Sequence, residues 1–582
     1  MRPCDPYCAP WGLGVYITPV ASFQIITSKG FKYLRIVESF RDPITKRPKL
    51  RVLRHLGRAD NALAIFNSAE HVELSSRSHG AVAAVWQMAE LLDLAGIIDA
   101  AVPGARLEDG LSLGQTLALA AVGRACRATS KRGFAHWAET TTLGDLAGVD
   151  ISRLTSQHFW DQMNKIPVSL LPEIESALVQ RVAGKFSPDM DTVLYDATNF
   201  FTFLASTNKH AKLPARGHNK QKRHDLRQVG VALCCTRSDA IPLFHSVYGG
   251  ERPDVRVFAD VFPKLRERLV AIGSELDALT VVYDKGNVSR VTQAMVDESE
   301  LHYVAALTAA SQRQLVTDAT PQMEPLVLSD EETVTVHRVR RVVWGAERTL
   351  VVLCSPRLQQ GQRRGIEQHI ASAVRWLEEL KATLDRGRQR RTLQELEAAI
   401  KQRLRRQHLR EILLVELRSN RRSIELQYKV DTRALDELEH TWLGRLVLMT
   451  DQHGWSTEEI IRAYRGQSAA ESVFRSLKDP LRLAIRPQYH WTDQKIHIHA
   501  FICVTAYLLS TLVHLTAKRK AHYSGSADAL FEQLTNIRSV KVLRPITKGR
   551  ARVTEQLESM APGTSSLLEA LGITALKPLK RR

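Results

Sequence analysis

From Tyr33 apolar and polar residues alternate through YLRIVESF. They give way to the polar, proline-containing RDPITKRPK and alternate again in LRVLRHLG. A period of two on either side of turn-forming residues predicts a β-hairpin, here within a small β-rich module over 33–78. Upstream, 1–32 carry Pro3, Pro6 and Pro10 without a helical period and read as an irregular arm. From His79 the period lengthens. HGAVAAVWQMAELLDLAGIIDAAV and LSLGQTLALAAVGRACRATSKRGFAHWAETTTL repeat their apolar residues every three or four positions, which predicts a helical region over 79–185. Arg124, Arg127, Lys131 and Arg132 gather at a break in that pattern.

After Pro188 short apolar runs rich in β-formers take over: DTVLYDAT, VGVALCCT and IPLFHSVY read as three strands. RVFADVFPKLRERLVAI reads as a helix, LTVVYD as a strand, SRVTQAMVDESE as a helix and LHYVAAL as a fifth strand. The first three strands are close enough in sequence to be antiparallel neighbours, and the later two need helical crossovers and so run parallel. That is the element order of an RNase H-like core, with its first part at 186–307 and a last part at 451–520. Between them, 308–450 reads as an insertion domain. It holds the strand-like TVTVHRVRRVVW and RTLVVLC, a long charged helical stretch over 362–406 broken near Gly387, and then EILLVEL and SIELQYKV. The fold class is therefore α/β and multidomain, ending in a basic region over 521–582.

Charge narrows the partners. The chain of 582 residues has a formal net charge of +19, which favours a polyanion, because each neutralised phosphate releases condensed counterions. A helical bundle with a basic corner at Arg124–Arg132 then suits a DNA-end reader. Seven scattered cysteines do not form a disulfide framework, and no basic patch precedes an apolar run at the N-terminus. The most apolar stretch, 501–515, is shorter than a membrane span and reads as a buried helix. A cytosolic protein is the expectation.

The chemistry lies at strand ends. Asp196 closes the first strand of the core and Asp284 the fourth, and these strands are neighbours in that order. Asp189, Asp191, Asp225 and Asp254 compete with them on position alone. Glu471 lies beyond the insertion, on a helix that begins at Ser456 with Glu459 completing a capping box. Counted from Tyr464, the positions Gln467, Glu471, Arg475 and Lys478 recur every three or four and share one face. Phosphodiester cleavage needs an activated water and neutralisation of the leaving oxygen. Two Mg²⁺ ions do both, and they take hard carboxylate ligands.

DATNFF, GHNKQKRHDLRQVGVAL, IPLFHSVYGG, VVYDKGN and YRGQSAAESVFRSLKDPLRLAIRPQYHWTDQKIHIHAFICVTAYLL resemble a DDE-type insertion-sequence transposase. The group is the insertion-sequence-four superfamily, most closely its sixteen-thirty-four branch, and YLRIVESFRD with VLRHLGR resembles that branch as well. The superfamily motif is Tyr, two residues, Arg, three residues, Glu, six residues, Lys. Tyr464, Glu471 and Lys478 fit it, and Gln467 stands where it has Arg. The resemblance implies that Asp196, Asp284 and Glu471 are catalytic and bind two Mg²⁺ ions, with Mn²⁺ as a substitute. It implies that Tyr464 and Lys478 contact transposon-end DNA, with Arg465 or Arg475 replacing the missing Arg. Lys220 and Arg223 of the basic run are further phosphate contacts. It also implies cut-and-paste movement of double-stranded DNA by a homodimer that pairs two ends, through a hairpin whose aromatic base clamp neither Trp344 nor Trp442 can be assigned to. A nuclease that cuts without joining, a DNA-binding relic and an RNA-binding protein are the alternatives.

Overall fold

The computed structural model describes residues 21–42, 45, 47–59, 73–105, 107, 110–205, 207–219, 221–329, 332–387, 391–406, 408–420, 423–485, 488–544, 552–558, 560 and 563–576. Most of the expected N-terminal arm and Lys220 lie outside them. The chain divides into two compact units, one from Met1–Ser78, Ile537–Met560 and Thr574–Arg582, the other from His79–Asn536 and Ala561–Ile573.

In the first unit, β1 (Ala21–Ser28), β2 (Phe31–Arg41) and β3 (Pro48–Arg58) form an antiparallel sheet with β2 central. The hairpin read from the alternation is β2–β3, with Tyr33 opposite Arg58. β1 begins inside the stretch read as an irregular arm. Lys29 and Gly30, both at positive φ (50° and 79°), make the tight turn that lays β1 on β2. The period of two is present in SFQIIT, but Phe23 and Ile25 remain exposed, so no buried face marked it. β4 (Glu73–Ser78) pairs with the strand Arg538–Arg544, which pairs in turn with Arg552–Leu557. The basic C-terminal region thus completes a sheet begun some 460 positions earlier, Ser76 lying 462 residues from Arg538.

The second unit is built on a nine-stranded sheet. Its strands are β5 (Thr192–Thr202), β6 (Arg227–Thr236), β7 (Pro242–Gly249), β8 (Thr280–Tyr283), β9 (His302–Leu307), β10 (Glu324–Ser329), β11 (Glu332–Val343), β12 (Ala346–Cys354) and β15 (Arg445–Thr450). The order is β10-β11-β12-β15-β9-β8-β5-β6-β7. β5, β6 and β7 are antiparallel neighbours, and β8 and β9 run parallel to β5, as the spacing of the apolar runs predicts. The strand-like pieces of 308–450 split between two places. β10–β12 and β15 continue the same sheet, while 356–443 gathers its own core. There the helix Pro356–Asp385 lays Ile370, Ala373, Leu377, Leu380 and Leu384 against Leu396, Ile400 and the hairpin β13 (Leu413–Asn420)–β14 (Ser423–Val430). Arg348 of β12 ties the extension to the core by donating to both carboxylate oxygens of Asp297 at 2.9 and 2.6 Å.

Helices cover the sheet. The helical pattern from His79 resolves first into two helices, Gly80–Leu91 and Leu94–Ala101, parted where Asp93 takes a left-handed conformation at φ 55°. Helix Asp493–Ala521 is long and apolar enough to cross a membrane, but 89% of its apolar window is buried in the protein, which makes it the central core helix. A buried ion network joins the helix Leu171–Phe186 to β7. Glu175 accepts from Arg268 at 2.7 Å and contacts His245 at 2.5 Å. Burial raises the Glu175 carboxyl, and the charges of His245 and Arg268 more than offset this, holding it below the ordinary range.

The expected basic corner is not uniformly outward. The ammonium of Lys131 turns inward, 2.8 Å from His490 Nε2 and over the ring of Trp160 at 4.8 Å. Burial, then the charge of Arg124, pulls its pKa down to about 7. The folded state thus favours neutral Lys131, whereas the unfolded chain stays protonated up to the ordinary lysine value. Between the two the unfolded state binds more protons, so stability rises with pH. Wild type should therefore gain thermal stability relative to Lys131→Met on going from about pH 7 to about pH 9. Melting curves at both values check this, and a constant gap would show that Lys131 does not titrate there.

Candidate functional site

The parallel pairing of β5 and β8 sets Tyr195 level with Tyr283, and the next residues are Asp196 and Asp284. Both tyrosines are fully buried and pack on Phe258 with ring centroids 4.9 Å away. Side chains alternate along a strand, so a buried Tyr195 turns Asp196 to the opposite face. That face is crossed by the helix Gln467–Lys478, which packs on β5. Thr198 and Phe200 share the face with Asp196, and Lys478 meets both, donating to Thr198 Oγ1 at 2.7 Å and lying 5.4 Å from the Phe200 ring centre.

The helix expected to start at Ser456 does so, with the reciprocal Ser456–Glu459 capping box. It is interrupted at Gly466, leaving Thr457–Arg465 and Gln467–Lys478. A Cβ at Gly466 would lie 2.9 Å from Ala463 O and from Arg237 Cγ, so the close approach requires glycine. Gln467 does not face the cleft with its neighbours. Its Nε2 donates to Val282 O at 3.0 Å and Tyr195 O at 3.3 Å, bracing the two strands one or two residues before their aspartates.

Asp196, Asp284 and Glu471 line one cleft of about 1390 Å³, together with Arg475 and Lys478. Asp196 and Asp284 are half-buried and Glu471 is exposed. Tyr464 donates to Asp284 Oδ1 at 2.9 Å. Its phenol is pushed up strongly by burial first, then by Asp284, Glu471 and Asp196, so one hydroxyl feels all three carboxylates. Three hard oxygen donors in one cleft suit Mg²⁺. They do not form a closed cage: among the described residues, no three His, Cys, Asp or Glu stand close enough together to hold an ion.

The cleft also holds residues the sequence reading did not single out, namely Arg252, Lys285 and Asn287, as well as the competing Asp254. Asn287 is 4% exposed, and its Oδ1 has no hydrogen-bond partner among the described residues. The signal for it was the VVYDKGN run, which carries Asn287 three positions after Asp284. Other expected contacts lie elsewhere. Arg465 is held bidentately by Glu332 at 2.6 and 2.7 Å, and Arg223 pairs with Asp225 at 2.8 and 2.7 Å on the surface. Neither lines the cleft. Arg223 depresses the Asp225 carboxyl to about 2.

Residues 23–81 match the family model of the IS1634 family transposase, N-terminal domain. The match supports an IS1634-type insertion-sequence transposase, the branch whose motifs the sequence resembles. The matched residues run from β1 into the helix Gly80–Leu91 and do not include the cleft. No curated protein matches the chain. A solved structure similar to it is the cryo-EM structure of a piggyBac transposase synaptic complex with hairpin DNA. Identity is 9% over 78% of this chain and 70% of that one, with a TM-score of 0.32, too low to carry an argument.

Removing the Gln467 carboxamide leaves two strand carbonyls without that donor. Gln467→Ala should lower stability by about 1–3 kcal/mol, the usual cost of an unsatisfied buried polar group. Denaturant unfolding measures it, and a change near zero would show that the brace contributes nothing.

Proposed function

We propose that the protein is a metal-dependent DNA transposase that cuts at the ends of an insertion sequence and joins the freed 3′-hydroxyl to target DNA. Asp196, Asp284 and Glu471 are its catalytic carboxylates. The observation that carries this reading is that residues from β5, β8 and a helix beyond the insertion line a single cleft. The order β7-β6-β5-β8-β9, an antiparallel trio followed by a parallel pair, supports an RNase H-like core. The matched N-terminal domain supports transposition over other uses of such a core. A homodimer that pairs two DNA ends in a prokaryotic cell follows from the same reading.

The carboxylate donors fit Mg²⁺, and Asp196, Asp284 and Glu471 would hold it. Bound there, the metal supplies charge neutralisation and a water or hydroxyl activated at neutral pH. The remaining work belongs to the chain. Tyr464 fixes the orientation of the Asp284 carboxylate through its hydroxyl. Gln467 keeps β5 and β8 in register, so the two aspartates stay level. Arg475, exposed at the cleft, and Lys478, bonded to Thr198 two residues from Asp196, balance part of the carboxylate charge and face an incoming phosphate. Asn287, buried in the wall of the cleft, adds an amide beside the Asp284 strand end. A second reading, a DNA-binding relic that no longer cuts, is favoured by Gln467 standing where the resemblance has arginine. Arginine's bidentate fork is lost there.

Cleavage of a duplex carrying the element's own ends, with Mg²⁺, tests the reading. Glu471→Gln keeps the shape and removes the charge. It should retain DNA binding and lose cleavage by more than the roughly 10–100-fold typical of losing a metal's outer-shell partner. Equal cutting by both proteins would remove Glu471 from the site, and binding without cutting by wild type would favour the relic.

A further inference from the structure

A second depression opens on the helical hairpin of the insertion, at the end of the helix Leu393–Arg403. It is lined by Trp376, Gln402, Arg403, Arg405 and Arg406 and has a volume of about 700 Å³. Basic residues at a helix C-terminus are favoured by the macrodipole, which explains Lys401 and Arg403 without any ligand. Arg403 is also occupied within the fold, donating to Ser372 O at 3.0 Å and to its Oγ at 2.8 Å. Arg405 and Arg406 differ. They follow the helix, are exposed, and form no ion pair with a carboxylate among the described residues. Trp376 packs one side on the insertion's core and leaves the other at the depression.

The patch has a neighbour from a distant part of the chain. His369, on the helix that carries Trp376, is held below its usual range by burial first and then by the charges of Arg406 and Lys222. Arg406 and Lys222 therefore approach the same imidazole. Lys222 belongs to the basic loop whose preceding residues His218, Asn219 and Gln221 line the carboxylate cleft. The loop thus borders the cleft, and the charge of its Lys222 is felt at His369 on the helix that carries Trp376.

We propose that the depression binds the phosphodiester backbone of the DNA whose end lies in the cleft, with Arg405 and Arg406 on phosphates and Trp376 against a sugar or base between them. Arginine forks match phosphate oxygens, and an aromatic wall beside them is what a nucleotide chain uses. This rests on the DNA reading above but concerns binding alone, so its test needs neither metal nor cleavage.

The experiment measures Kd for an end-containing duplex in EDTA from 50 to 200 mM salt. It compares wild type, Arg405→Gln/Arg406→Gln, and the control Lys518→Gln/Lys520→Gln, which removes the same charge from an exposed helix end. Each phosphate contact contributes about 0.9 to the slope of log K against log salt, so the arginine variant should lose about 1.8. Across that fourfold salt range its loss of affinity should be roughly ten-fold smaller than the wild type's. The control should keep the wild-type slope. Trp376→Leu should weaken binding by roughly five-fold or more with the slope unchanged. A wild-type slope in the arginine variant, or an equal loss in the control, overturns the site, and an unchanged Kd in Trp376→Leu overturns the part given to the ring. If wild type binds no duplex, the DNA reading of the whole protein falls along with this one. If it binds and the arginine slope is unchanged, only this inference falls.

Discussion

The parallel pairing of β5 with β8 is the constraint on which the site depends. It is short, since β8 has only four residues, and it is entirely buried. Its register leaves no freedom in where the two aspartates emerge, because a slip of one residue would turn each to the other face of the sheet. The fold secures that register from three sides. Phe258 packs under both tyrosines, Gln467 ties the carbonyls of Tyr195 and Val282 from above, and the Tyr283 hydroxyl donates to Gln293 at 2.7 Å. The Tyr195 hydroxyl, by contrast, is buried with no hydrogen-bond partner among the described residues.

Much of this was legible as pattern. Runs such as VLYD and TVVYD announce buried strands because a central strand is apolar on both faces, and their polar ends mark where the sheet meets solvent. The capping box at Ser456 and the break near Gly387 are local signals and fell where local chemistry puts them. The three carboxylates could be named because strand ends and helix faces are properties of short segments. Their separation from Asp254 and its rivals came from the resemblance, and Asp254 indeed lies in the same cleft.

What could not be read depends on pairing across distance. Nothing local says that β12 will hydrogen-bond to β15 rather than close a separate layer, or that strands after Ile537 will pair with β4. Both are edge choices made by the tertiary fold. The same holds for side-chain destinations. Arg465 looks like a phosphate contact until Glu332 takes both its nitrogens, and Lys131 looks like surface charge until Trp160 and His490 enclose it. Gln467 reads as a defect in the motif, yet its neutral carboxamide makes two backbone contacts inside a crowded junction. A guanidinium there would carry its charge beneath two carboxylates and would have to shed its hydration to donate to the same carbonyls.

The charge balance of the cleft follows from that arrangement. Asp196, Asp284 and Glu471 are close enough for all three to perturb Tyr464. Moving them closer raises their repulsion unless positive charge enters with them. Lys478 is held to Thr198, so it cannot follow the carboxylates inward without giving up that bond. Tyr464 contributes a neutral donor and no charge. Under the proposed function, a metal cation would supply the positive charge that Arg475 and Lys478 provide only in part. The phosphate of a DNA strand would arrive as a further anion and increase that demand.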